Sequence, residues 1–217
     1  MRFFLAVCAN ILVSCASFAD TPDPLWVKAI ANIKSSKGWA AKQVELVMDV
    51  QKDDEKKHKV ITQQLTGWEK DQPVYTVVSV VPALRDPANP PKVPDILSLF
   101  TKVLDKIYVD DAAVKRSDGV KLNGKTLSLF EINEGSLQKV VMKIWVNSET
   151  GLVHQQQLNV YMPLTVEANV QMTYDVENQG KNFLTSSETQ MEILTPFKKA
   201  KGSIKTTYTQ WTVAGSK

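Results

Sequence analysis

Residues 165–176 carry the strictest alternation in the chain. Val166, Ala168, Val170, Met172, Tyr174 and Val176 are apolar or aromatic, and Thr165, Glu167, Asn169, Gln171, Thr173 and Asp175 between them are polar. A period of two puts the first set on one face of a β-strand and the second on the other. Leu158, Val160 and Met162 continue the dry face on the preceding strand, and Met162-Pro163-Leu164 supplies the turn. The same period runs through Val44, Leu46, Met48 and Val50 against Glu45 and Asp49. Strands are predicted from Val44 and over 59–68, 74–81, 126–133, 139–146, 152–162, 165–176, 184–194 and 203–213. A short further strand is expected within the polar stretch 110–124. The charged run Gln51–Lys57 and the segment Gly67–Pro73 are predicted to be loops.

The period lengthens to that of a helix in two places. Asp23 can cap a helix whose first turn accepts Pro24, and Trp26, Ile30 and Ile33 follow at helical spacing. This helix should end near Ser35, before Gly38. The proline-dense stretch 82–94 excludes helix and central strand alike. After it, Ile96, Leu99, Phe100, Val103, Leu104 and Ile107 form an apolar stripe at helical spacing. The pattern as a whole predicts a mainly β (α+β) chain. It reads as one large curved antiparallel sheet, or unclosed β-barrel, of about nine or more strands. Two or three helices should cover its concave face. With no repeat and no second composition regime, residues 20–217 read as a single domain.

Residues 144–153, Ile-Trp-Val-Asn-Ser-Glu-Thr-Gly-Leu-Val, predict a hairpin. Ile144 and Val146 share one face and Trp145 takes the other. Gly151 stands where a longer loop needs positive φ to re-enter the sheet.

The first nineteen residues read differently from the rest. Arg2 is followed by an apolar run from Phe3 to Val13, and Ser17-Phe18-Ala19 offers the small residues of a cleavage site. Residues 1–19 are therefore expected to be a signal peptide, with the mature chain starting at Asp20. Leu12-Val13-Ser14-Cys15 also resembles a lipobox, so the alternative is a lipoprotein signal over 1–14 with Cys15 acylated. Both cysteines, Cys8 and Cys15, lie in this segment, so cleavage before Asp20 leaves no thiol or disulfide. The formal charge of +3 becomes +2 when Arg2 is removed. No basic stripe interleaved with aromatics accompanies it, which argues against nucleic acid as a partner.

Catalytic chemistry finds little support. His58 sits among Lys56, Lys57 and Lys59, and His154 is followed by Gln155, Gln156 and Gln157. Neither has a partner at metal-ligand spacing. Asp53-Asp54 and Asp110-Asp111 fall in polar stretches, and no phosphate loop or nucleophile elbow occurs. The sequence predicts no enzyme, cofactor or metal. Its distinctive asset is an apolar sheet face that includes Met48, Met162, Met172 and Met191, side chains suited to an adaptable surface.

The exported start, the helix around Leu25-Trp26, the Trp145-Val146-Asn147…Thr150-Gly151-Leu152 hairpin and a closing strand with Tyr208 and Trp211 carry a resemblance. Together they resemble the periplasmic lipoprotein carrier and receptor superfamily, the LolA/LolB-like lipoprotein-sorting proteins of the outer membrane. Members frequently have Asp where this chain has Asn147. The resemblance implies an unclosed barrel whose helices form a lid over a hydrophobic cavity for acyl chains. The lining would then be Leu158, Val160, Met162, Val166, Val170, Met172 and Tyr174. The lid would include Trp26, Ile30, Ile96, Leu99, Phe100 and Val103. Carriers of this family hold the lid with an arginine in the early strands, whereas here the arginines are Arg2, Arg85 and Arg116. The expected function is a non-enzymatic, monomeric periplasmic protein, free or anchored at the outer membrane. It would bind a lipid or lipoprotein acyl chain, with a possible membrane-bound partner. The alternative is an envelope sensor or interaction module of the same fold with a self-filled core.

Overall fold

The computed structural model describes residues 22–36, 38–52, 54–70, 72–83, 104–134, 139–175, 180–195 and 198–214. One helix, α1 (Pro24–Ser35), precedes ten strands: β1 (Trp39–Lys52), β2 (Glu55–Glu69), β3 (Gln72–Val81), β4 (Lys115–Leu122), β5 (Lys125–Glu134), β6 (Lys139–Val146), β7 (Val153–Met162), β8 (Val166–Asp175), β9 (Phe183–Thr195) and β10 (Lys198–Val213). Residues 104–107 add a helical turn. All ten strands form one antiparallel sheet in the order β3-β2-β1-β10-β9-β8-β7-β6-β5-β4. The sheet is not closed: β3 and β4 are its two edges. This is the mainly β, one-sheet architecture that the alternation predicts.

Seven strands, β4 to β10, follow one another as neighbours, and β1 then pairs with β10 from Trp39↔Val213 to Lys52↔Ala200. That seam joins the first strand to the last and carries the first hairpin into the sheet. Edge strand β3 is interrupted by bulges, with Val78 extra on β3 and Thr66 extra on β2. Bulges of this kind twist an edge and discourage a further strand from adding to it.

The predicted loop over 51–57 is a correction. Strand pairing continues to Lys52↔Glu55, so only a two-residue turn separates β1 from β2. The residues are charged because this end of the hairpin is exposed on both faces, not because the ladder stops. The last strand likewise starts earlier than the predicted 203, with pairing from Lys198↔Thr195.

Strand alternation puts the apolar side chains on one face, hereafter the inner face. One register row crosses all ten strands through Arg116, Phe130, Ile144, Gln156, Met172, Ser187, Thr206, Leu46, Ile61 and Val80. Burial divides this face in two. A larger cluster over β5–β8 contains Phe130, Ile144, Leu158 and Val170, together with Leu25, Trp26, Ala29 and Ile30 of α1. A smaller cluster over β10, β1 and β2 contains Ile204, Ala41, Val44, Leu46 and Ile61. Between them the row carries the buried hydroxyls of Ser187 and Thr206, with Thr189 alongside.

Candidate functional site

The site is the inner face where α1 covers it. Asp23 caps the helix, its Oδ1 accepting from the backbone N–H of Leu25 at 2.8 Å and of Trp26 at 3.1 Å. Capping satisfies donors that the first turn leaves free. Trp26 then points into the sheet, fully buried, with its ring 5.4 Å from that of Phe130. Its Nε1 donates to the carbonyl of Val109 at 2.9 Å. The indole thus joins the helix, the sheet and the segment after the 104–107 turn.

The hairpin after β6 holds the other side of α1. Asn147 Oδ1 accepts from the N–H groups of Glu149 and Thr150, both at 2.9 Å, and the Gly151 N–H donates to the Asn147 carbonyl at 2.9 Å. This turn presents its carbonyls to the helix. Lys28 Nζ donates to Glu149 O at 2.7 Å, and Asn32 Nδ2 to Thr150 O at 3.3 Å. Gly151 has φ +72°, and a Cβ there would lie 2.6 Å from Lys28 Cγ. Glycine is therefore required twice, for its backbone angle and for the closeness of the helix.

Under the helix, a bulge at His154 shifts the phase of β7, so that Val153 and Gln156 both face inward. Asn182 repairs the ladder beside it, donating to Val153 O at 2.6 Å and accepting from Val153 N at 3.2 Å. Gln156 is fully buried, and its Oε1 accepts from the Tyr108 phenol at 2.6 Å. Its Nε2 has no hydrogen-bond partner among the described residues, and the same is true of Trp211 Nε1. Tyrosines connect the two halves of the face. Burial pushes the Tyr108 and Tyr174 phenols well above their usual pKa, with the neighbouring Tyr174 and Tyr208 rings adding to the respective shifts. Tyr75, which donates to Ala41 O at 2.9 Å, is pushed up to about 12 by burial and then by Tyr208.

The residues expected to line a cavity assemble as their phase requires. Leu158, Val160, Val170 and Met172 are buried in one cluster with Trp26 and Ile30, and Met162 and Tyr174 pack against it. Val166 is half-buried at the start of β8 and lies outside that cluster. Ile96, Leu99, Phe100, Val103 and Cys15 lie outside the described residues. Gln156, Tyr108 and Asn182 were not singled out by sequence. Gln156 carried a readable signal, since it is in phase with Leu158 and Val160 on the dry face.

An open cleft of about 780 Å³ lies elsewhere, along β8, β9, β10, β1 and β2. Its lining rows, Asn169-Gln190-Ser203-Asp49-His58 and Glu167-Glu192-Lys201-Gln51-Lys56, alternate with inner-face residues and so point away from α1. His58 Nδ1 is 2.8 Å from Asp49 Oδ1, and both side chains are exposed. Ser203 and His58 flank Asp49 on opposite strands, about 9–10 Å apart at the usual strand spacing.

No protein-family model and no curated protein matches the chain. Among solved structures it is similar to a DUF1329 family protein from Desulfovibrio piger. The likeness has 10% sequence identity and a TM-score of 0.40, and covers 90% of this chain and 95% of that one.

Proposed function

We propose that the protein is a non-enzymatic binder of acyl chains, holding a lipid or the acyl group of a lipoprotein on the inner face of the sheet. The observation that carries this reading is the division of that face. One apolar cluster lies beneath α1, and the second contains none of the α1 residues. Methionines 142, 162, 172 and 191 belong to or border the first cluster, and such side chains repack at low cost around an apolar guest. The resemblance of the hairpin and opening helix to lipoprotein carriers points the same way, and with it to an exported, periplasmic protein. The Asn147–Gly151 turn, gripping α1 through Lys28 and Asn32, then serves as the hinge side of the lid.

Native mass spectrometry of the full-length protein purified from cells tests the reading. The expected result is an acyl-bearing adduct released on unfolding. Absence of any adduct, together with unchanged tryptophan fluorescence on addition of acyl esters, would overturn it. The mass of the N-terminus in the same spectrum distinguishes a start at Asp20 from an acylated Cys15.

A second reading, an interaction module with a self-filled core, is favoured by one observation. Leu158, Val160, Val170 and Met172 are between 0% and 3% exposed. Under this reading Leu158→Ala only destabilises, by about 2–5 kcal/mol. Under the acyl-chain reading it also changes how tightly the adduct is retained.

A further inference from the structure

We infer that Gln156 is the polar recognition point of the inner face, its free amide N–H donating to a neutral carbonyl oxygen of an ester- or amide-linked acyl chain. The inference rests on the acyl-chain reading above and adds to it the chemistry of the ligand's head. Gln156 is fully buried and stands in the row between Ile144 and Met172, with Leu158 two residues on along the strand. A leucine or methionine would fill this position without burying an amide. The Tyr108 phenol donates to the Oε1 of Gln156 at 2.6 Å, which turns Nε2 toward the apolar cluster. That bond leaves Nε2 without a partner among the described residues. Buried amide N–H groups are nearly always satisfied, so a buried donor left open marks a position where an acceptor arrives.

The surroundings select the acceptor. Among the described residues the buried polar side chains are Ser128, Gln156, Asn182, Ser187, Thr189 and Thr206, none of them charged. A carboxylate placed there would be buried without a counter-charge, which is strongly unfavourable. A neutral ester or amide carbonyl accepts the same hydrogen bond with no net charge to bury. The site therefore favours an esterified or amidated acyl chain over a free fatty acid. The hydrocarbon would insert among Met142, Met172 and Met191, repacking side chains that are now in contact with the cluster.

The test uses the full-length protein and an apolar fluorescent dye displaced by methyl laurate, laurate or tridecane. The wild type should release dye to methyl laurate at about five- to tenfold lower concentration than to tridecane, the worth of one buried hydrogen bond, with laurate the weakest. Gln156→Met should keep tridecane displacement and lose the preference for the ester. Tyr108→Phe, which frees Oε1 and lets the amide turn, should narrow the preference without abolishing dye binding. Ester and alkane displacing equally in the wild type, or Gln156→Met retaining the preference, would overturn the role of Gln156 and leave the acyl-chain reading standing; a water permanently bound to Nε2 gives that result. Failure of all the probes to displace dye would overturn both.

Discussion

Arg116 Nη1 lies 3.2 Å from Asp23 Oδ2, so edge strand β4 grips the residue that caps α1. Its Nε donates to Asp118 at 2.8 Å, and the guanidinium sits 5.9 Å over the ring of Phe130. The same carboxylate thus caps the start of the helix and fastens it to the sheet. Arg116→Ala should destabilise by no more than about 1 kcal/mol, as partly exposed pairs do. Asp23→Ala should lose about 1–2 kcal/mol, because the cap goes as well. A double-mutant cycle by urea denaturation checks this, with an expected coupling of about 0.2–1 kcal/mol.

Gly151→Ala should destabilise by about 1–2 kcal/mol from its backbone angle alone. It should also push the Lys28 stem aside and break that lysine's bond to Glu149 O. Adding Lys28→Ala removes the clash but not the backbone strain. The two changes together should therefore be less damaging than the sum of their separate effects, as read from thermal or urea melts.

Trp26 separates packing from hydrogen bonding. Trp26→Ala should lose about 3–5 kcal/mol from a fully buried site. Trp26→Phe keeps an aromatic ring against Phe130 and strands the Val109 carbonyl, at about 1–3 kcal/mol. Equal losses in the two variants would show that the indole N–H, not the ring, anchors the helix.

Acid and alkali should act at different places. The Asp118 carboxyl is held below its usual pKa by the hydroxyl of Ser128 and then by Arg116. Its contribution is complete above the unfolded value near 3.9 and is lost as pH falls through the lower folded value. Ser128→Ala should therefore flatten the acid limb of the stability curve. Tyr75, Tyr108 and Tyr174 have the opposite sign. Their raised pKa values favour the fold below pH ~10, and this contribution fades as pH climbs, through about 12 for Tyr75. Absorbance at the phenolate band should show these three ionising together with unfolding.

Strand phase was legible in the sequence because each strand has one wet face. Leu158, Val160, Val170 and Met172 meet in one cluster as alternation requires. Gln156 shares the face of Leu158 by alternation alone, but three glutamines in a row read as polarity, and the bulge at His154 breaks the pattern that would otherwise carry the dry face back to Val153. Arg116 lies in a stretch whose polarity hides its strand, since β4 is a short edge strand with little apolar pattern to mark it. The exposed end of the β1–β2 hairpin looks like a loop in sequence because charge does not distinguish an open strand from a turn. Nor could local pattern pair β1 with β10: that choice depends on which faces match after the intervening strands are laid down.

The β1–β10 seam has a kinetic meaning. The hydrogen-bonded residues Gln43 and Thr209 are 166 positions apart. Closing so long a loop must precede any gain from the contacts it makes, and sheets dominated by distant pairings fold slowly, in milliseconds to seconds. The contacts that join Ile204 to Leu46 and Ile61 cannot form until that loop closes, whereas α1 reaches β5–β8 across the shorter separations of 121 residues at Lys28–Glu149 and 118 at Asn32–Thr150. Refolding followed at Trp26 should therefore run ahead of refolding followed at Trp211, and the lag would time the zipping of the seam.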